Sequence, residues 1–240
     1  MSILITICAR GGSKGIPGKN IKLIDGKPLI QYTIDIALKI QKQLKDVFIG
    51  LSTDDIKIKE VAEKCGLATT YLRPEELATD TSGKLPVIYH LLNYEQELHK
   101  IKFDYVIDLD VSSPMRTSDE VIEGLLMLIN DDKAYNLFSV SKARKNPYFN
   151  MVEKNEDGYF KLVKKPSTQM LSRQASPKVY EMNASFYIFK QLFFEMDCQS
   201  AITDFSMIYE MKNLCFDLDE MEDFLFLEFL VTKQNFKISE

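Results

Sequence analysis

Arg10, Lys14 and Lys19 stand close together in the chain, interleaved with Gly11, Gly12, Gly15 and Gly18. Glycines admit backbone angles closed to other residues and let amides approach an oxyanion, while the cations supply positive charge. A triphosphate needs both. The run follows Ile3–Cys8, an apolar stretch that reads as a buried strand. The loop therefore falls at the carboxyl end of a first strand, where open α/β sheets bind ligands. A Walker P-loop is disfavoured, because it needs glycine at position 13 and a hydroxyl residue at position 20, and the chain carries Ser13 and Asn20. The bland alternative is a structural glycine turn, which has no need of three cations.

Asp217 and Asp219 form the second constellation. On a strand, side chains at i and i+2 share a face, so the two carboxylates would converge. Such a pair is half a magnesium site, completed by phosphate oxygens and water. The alternative makes Asp219 a helix cap and Asp217 a solvated strand end. Asp223, one turn on, would hold the first two in place. Three further segments carry polar chemistry. Arg73 to Ser82 sets an arginine beside small hydroxyl residues that could meet a base or ribose, or cap a helix through Thr81 or Ser82. Asp108 and Asp110 end a buried strand on one face, followed by Ser113-Pro-Met-Arg116; a loop-bracing Asp–Arg pair is the structural alternative. Arg173, Gln174, Tyr180 and Asn183 combine a guanidinium with amides and a phenol, and arginine binds carboxylates in a bidentate way. A solvated basic stretch would explain them equally well.

The elements that must position these groups alternate. Leu29–Leu44 has apolar residues at helical spacing, Val47–Ser52 reads as a strand, and Asp55–Cys65 as a helix stopped by Gly66. Thr69–Leu72 reads as a short strand, Pro86–His99 as a helix, Tyr105–Leu109 as a strand and Ser118–Ile129 as a helix with a Ser/Asp cap. The expected fold class is α/β, a mostly parallel sheet with helices on both faces. After Leu137–Val140 the pattern breaks. Residues 142–180 are richer in Lys, Asn, Pro and Ser, with β-like pieces at Phe149–Glu153 and Tyr159–Val163. They read as a small insertion packing on a partner subunit, since Tyr148, Phe149, Tyr159 and Phe160 would otherwise face water. Ala184–Phe189 returns to the sheet, Leu214–Leu218 is a last strand, and Glu220–Lys233 a terminal helix. The apolar run Phe224 to Leu230 in that helix reads as core.

The 240 residues are 45% apolar with a formal charge of −5, which suits one medium domain spanning 1–240 and argues against general nucleic-acid binding. Cys8, Cys65, Cys198 and Cys215 are scattered without a C-x-x-C pair, as expected in a reducing cytoplasm. No apolar run reaches about 18 residues, so neither a leader peptide nor a membrane span is expected. His90 and His99 are the whole histidine complement, which disfavours a His-centred mechanism.

Four motifs together resemble the acylneuraminate cytidylyltransferases, the CMP-sialic acid synthetase family: Ala9-Arg-Gly-Gly-Ser-Lys-Gly-Ile-Pro-Gly-Lys-Asn20, Leu72-Arg-Pro-Glu-Glu-Leu-Ala-Thr-Asp80, Ser113-Pro-Met-Arg-Thr117 and Phe216-Asp-Leu-Asp-Glu-Met-Glu-Asp-Phe224. The resemblance covers nearly the whole chain. It implies a Rossmann-like nucleotidyltransferase core with a dimerisation insertion. It implies that the loop of Ala9, Arg10, Gly11, Gly12, Ser13, Lys19 and Asn20 binds CTP phosphates. Arg73 and Ser82 would lie by cytosine and ribose, and Asp217 and Asp219 would bind Mg2+. The sialic acid enzymes commonly carry glutamine where this chain has Asp110, and a small hydroxyl residue where it has Lys84. The strings Ile107–Asp110, Arg144–Asn150 and Arg173–Ser185 look more like the CMP-N,N'-diacetyllegionaminic acid synthase branch. The implied reaction is attack of the anomeric hydroxyl of a nonulosonic acid, a nine-carbon α-keto acid sugar, on the α-phosphate of CTP, with release of pyrophosphate. Arg10, Lys19 and Asp217 would be catalytic, and Asp110, Arg173, Gln174, Tyr180 and Asn183 would meet the sugar. The rival acceptors are sialate, pseudaminate and Kdo; a catalytically silent nucleotide-binding protein is the non-enzymatic rival.

Overall fold

A computed structural model describes residues 1–165, 176–234 and 238. Strand β1, Ile3–Cys8, alternates its side chains between two cores. Ile3, Ile5 and Ile7 face a core shared with helix α1, Leu29–Gln43, whose Ile30, Ile34 and Ala37 are fully buried. Leu4 faces the opposite core, with Ile88 and Leu92 of a later helix. Between β1 and α1 lie the glycine loop, a single 3-10 turn at Lys19–Ile21, and a small ribbon of β2, Leu23–Ile24, and β3, Lys27–Pro28. Strand β4, Val47–Ser52, leads to α2, Ile56–Lys64, where the Asp55 carboxylate accepts the Lys57 amide at 2.7 Å. Such a cap stabilises a helix by about 1 kcal/mol. Helix α3 spans Lys84–His99, strand β5 Tyr105–Leu109 and helix α4 Ser118–Ile129. Thr117 and Glu120 close a reciprocal capping box at the start of α4.

The second half adds β6, Asn136–Lys142; β7, Val152–Lys154; β8, Phe160–Leu162; β9, Tyr180–Lys190; α5, Gln191–Glu195; β10, Ser206–Glu210; and α6, Met221–Gln234. The central sheet runs β10-β6-β9-β5-β1-β4. All its pairings are parallel except those of β9, which runs antiparallel to both β5 and β6. Among the described residues, strands β7 and β8 pair only with each other, as a hairpin outside that sheet. Among the described residues no helix is long and apolar enough to cross a membrane. Cys8, Cys65, Cys198 and Cys215 are free thiols.

Several expectations need correction. Thr69–Leu72 is not a strand: it has no regular secondary structure and does not add to the sheet edge at β4. Leu214–Leu218 is not a strand either. Ser206–Glu210 takes the edge beside β6, and 214–218 instead crosses toward the β5 loop, where the Leu218 amide donates to the Ser112 carbonyl at 2.8 Å. The apolar run of α6 is core only at Phe224 and Leu227; Leu225, Phe226 and Phe229 are exposed. The helix caps also differ: α4 is capped by Thr117, and α3 starts after Gly83 without a side-chain cap.

Candidate active site

The carboxyl ends of β1 and β5 open onto one cavity of about 300 Å3, lined by Arg10, Ser13, Lys19, Asn20, Arg73, Ser82, Lys84 and Asp110 among others. Residues drawn from three separate sequence motifs thus converge at the end of the sheet where ligands of such folds bind. Two of the glycines have distinct reasons to be there. Gly18 has a φ of 65°, the left-handed region that turns the chain into Lys19–Ile21. A Cβ on Gly15 would stand 2.0 Å from the Asp219 carbonyl oxygen, so any side chain would drive the two segments apart. Gly11 and Gly12 have negative or extended backbones and do not line the cavity. Ala9 is buried in the core, its amide bound to the Ser52 carbonyl.

Each basic group is held in place. The Arg10 guanidinium donates to the Asp80 carboxylate at 2.9 Å and to the Thr79 carbonyl at 3.2 Å, and Lys14 pairs with the same carboxylate. Hydrogen bonds from Lys14 and Arg10 hold the Asp80 carboxyl below its usual range. The sequence motif gives Asp80 no part of its own; an acid among the small hydroxyl residues Thr79, Thr81 and Ser82, in a chain with a cationic loop, is its signal. Arg73 is buried and donates to the Ser52 hydroxyl at 2.9 Å and carbonyl at 2.8 Å. Asn20 ties the loop by donating to the Arg10 carbonyl at 2.8 Å. Ser82 gives its hydroxyl to the Glu76 carbonyl at 2.8 Å.

Lys19 joins the loop to the second constellation. Its Nζ donates at 2.6 Å to the carbonyl of Leu218, the residue between Asp217 and Asp219. Asp217 is half-buried, and its Oδ1 is fully buried with no hydrogen-bond partner. Burial first, then the charges of Asp110 and Asp219, push its carboxyl up to about 7. Asp219 is exposed, and the Asp223 carboxylate braces the turn by accepting the Asp219 and Glu220 amides at 3.1 and 2.9 Å. Among the described residues no three carboxylate, imidazole or thiol groups gather into a complete cage for a metal ion. Because 214–218 is not a strand, Asp217 and Asp219 do not share a strand face as expected, but their charges still act on each other. The donor set, two carboxylates with one orphaned oxygen, fits a hard divalent cation whose remaining ligands are phosphate oxygens and water.

The cavity floor is polar and buried. Asp108 is fully buried, with its Oδ1 accepting the Thr6 hydroxyl at 2.8 Å across the β1–β5 ladder. Lys84 lies 3.0 Å from Asp108 and 2.5 Å from Asp110. Burial opposes the charge on Asp110, but Lys84 and two Ser112 bonds override it and take its carboxyl down to about 2. Burial likewise opposes the Lys84 charge, and Asp108 and Asp110 outweigh it, holding the ammonium well above its ordinary range. Cys8, also at the floor, has its thiol pushed up by burial and then by Asp108, which keeps it protonated and unsuited to nucleophilic attack. The expected Asp–Arg brace takes another form: Arg116 is buried and donates to the carbonyls of Asp110, Ser113 and Ser185 and to the Thr33 hydroxyl, not to a carboxylate. Burial lowers its pKa to about 10.

Of the residues expected to meet a sugar, Asp110 lines the cavity and Arg173 and Gln174 lie outside the described residues. Tyr180 lines a separate cavity of about 540 Å3 beside Lys142 and Asn146. Asn183 is buried at the β6–β9 bulge, accepting from the Ser139 hydroxyl at 2.6 Å and donating to the Ser141 hydroxyl at 2.9 Å, so its amide is spent within the sheet.

Residues 4–236 match the family described as Cytidylyltransferase. The chain belongs to that family. It is a CTP-dependent nucleotidyltransferase, and the cationic loop at the end of β1 is in keeping with that chemistry. It is 39% identical to the post-translational flagellin modification protein B of Campylobacter coli, over 99% of this chain and 98% of that one. It is also 39% identical to the CMP-N,N'-diacetyllegionaminic acid synthase of Campylobacter jejuni subsp. jejuni serotype O:2, over 97% and 96%. The fold is shared with a solved CMP:2-keto-3-deoxy-manno-octonic acid synthetase complexed with CTP, at a TM-score of 0.68 and 17% identity, covering 98% of this cytidylyltransferase and all of that chain.

Proposed function

We propose that this cytidylyltransferase moves CMP from CTP onto the anomeric hydroxyl of a nonulosonic acid, N,N'-diacetyllegionaminate before others, and releases pyrophosphate. The observation that carries the reading is the Lys19–Leu218 bond, which brings the cationic loop after β1 against the Asp217–Asp219 turn. The acceptor rests on the named legionaminic acid relative and on Asp110, an acid at the cavity wall where the sialic acid enzymes commonly have glutamine.

In this reading Arg10 and Lys19 offset charge on the departing pyrophosphate, and Arg73 and Ser82 hold the nucleoside end. Asp217 and Asp219 hold Mg2+. When bound, that ion neutralises negative charge on the phosphate oxygens. The side chains do no covalent work; they align the sugar hydroxyl with the phosphorus and exclude competing water. Asp110 accepts a hydrogen bond from the acceptor sugar, and Arg173 pairs with its carboxylate. Two chains associate through 142–180, giving a homodimer.

The test is pyrophosphate release from CTP with a panel of legionaminate, pseudaminate, sialate and Kdo. The expected result is fastest release with legionaminate and strict dependence on Mg2+. No release with any of these acids would overturn the reading.

A further inference from the structure

Asp110 faces the acceptor in the function proposed above, and the present inference rests on that reading. Asp110 is not a free carboxylate. Its Oδ1 accepts the Ser112 amide at 2.8 Å and the Ser112 hydroxyl at 2.7 Å. Its Oδ2 accepts the Lys84 ammonium at 2.5 Å. A carboxylate offers about four acceptor positions, so roughly one remains, on Oδ2. Lys84 is the first residue of α3 and reaches down onto the sheet. Its ammonium also meets the buried Asp108 at 3.0 Å and stands 4.7 Å from the centre of the Tyr187 ring. Asp108 cannot turn away, since its other oxygen is held by Thr6.

One cation between two carboxylates leaves this cluster with a net negative formal charge. It does not recruit phosphate as Arg10 and Lys19 do, and a role in CTP binding is disfavoured on that ground. Its geometry suits a different task. Lys84 fixes Asp110 from one side while Ser112 fixes it from the other, so the direction of the last lone pair is set by the protein.

We propose that Lys84 is a positioning residue for acceptor choice: by pinning Asp110 it presents a single hydrogen-bond acceptor to the sugar and fixes where the sugar's N–H or O–H donor must stand. A sugar with a donor at that place is taken. One that brings an acceptor there leaves two unpaired oxygens face to face and is refused.

The experiment measures KM for CTP and for acceptor, and kcat/KM for legionaminate and sialate. The proteins are wild type, Asp110→Asn, Lys84→Arg and the double variant, with melting curves for each. Lys84→Met would strand Asp108 buried without a counter-charge, so Lys84→Arg is the working substitution. It keeps the charge but replaces a compact ammonium with a planar fork that cannot repeat the same contacts. The expected result is a folded Lys84→Arg protein with acceptor KM raised about tenfold and CTP KM within about twofold of wild type. Its preference for legionaminate narrows, and it adds little to the loss already caused by Asp110→Asn. A larger rise in the KM for CTP than for acceptor, losses that multiply in the double variant, or an unmoved acceptor KM would each overturn the proposal. If wild type uses no nonulosonic acid, the sugar reading falls and this proposal with it; wild-type turnover beside an indifferent Lys84→Arg removes this proposal alone.

Discussion

Lys19 spans most of the sequence to reach the Leu218 carbonyl, and that one bond ties a cationic loop to a carboxylate turn. Between its flanking acids the division of labour is set by burial. Asp217 carries the orphaned buried oxygen, and Asp219 stands in solvent. Asp219→Asn should therefore leave folding alone, because the brace from Asp223 runs to backbone amides that survive the change. It should cut turnover by about 100-fold, equivalent to roughly 2.7 kcal/mol of transition-state stabilisation. Steady-state rates at saturating Mg2+ with a melting curve decide the matter. Near-wild-type turnover would remove Asp219 from the metal site. Asp110→Asn belongs to the same scale, since it deletes the acid proposed to select the sugar.

At the scale of elements, the strands whose apolar runs are buried on both faces were legible: β1, β4 and β5 fall at the places the sequence indicates. So was the convergence of loops at their carboxyl ends, which follows from parallel alternation. Two things were not. Strand β10 shows almost no burial rhythm, with Tyr209 its one buried side chain, so its pattern is too weak to distinguish it from a loop. The segment 214–218 has a strand-like alternation, but its Cys215 and Leu218 are buried by packing across the β5 loop and not by pairing. The Lys84–Asp108–Asp110 cluster was half legible: two acids on one strand face demand a cation, but which lysine supplies it depends on how α3 docks. Arg116 holds the β5 loop to β9 and α1 by main-chain and hydroxyl bonds alone. Arg116→Lys cannot reach all of them and should destabilise the fold by about 3 kcal/mol. For a chain of this size that is a fall in Tm of about 6–12 °C. A change below about 2 °C in a thermal melt would show that the loop does not depend on it.

At the scale of the whole molecule, the β7–β8 hairpin leaves the sheet and carries Tyr159 and Phe160 at 74% and 69% exposure. Phe149 and Met151 continue the apolar surface, whereas Tyr148 is half-buried beneath Lys164. A patch of this kind calls for a cover. The expected cover is a second copy of the chain, and sedimentation at micromolar concentration should report a dimer. Tyr159→Ser with Phe160→Ser should shift it toward monomer while the melting curve of the core changes little. A wild-type monomer, or a dimer indifferent to both changes, would place the interface elsewhere.

The central claim is transfer of CMP to a nonulosonic acid chosen through Asp110. The most direct measurement follows CTP labelled at the α-phosphorus, with legionaminate and sialate offered separately, and quantifies the labelled sugar nucleotide. The account predicts label in a CMP-sugar with both acids, unlabelled pyrophosphate in equal amount, and a kcat/KM for legionaminate at least about tenfold above that for sialate. Label that stays in CTP or appears only as free CMP would contradict the transfer. A preference for sialate would contradict the choice.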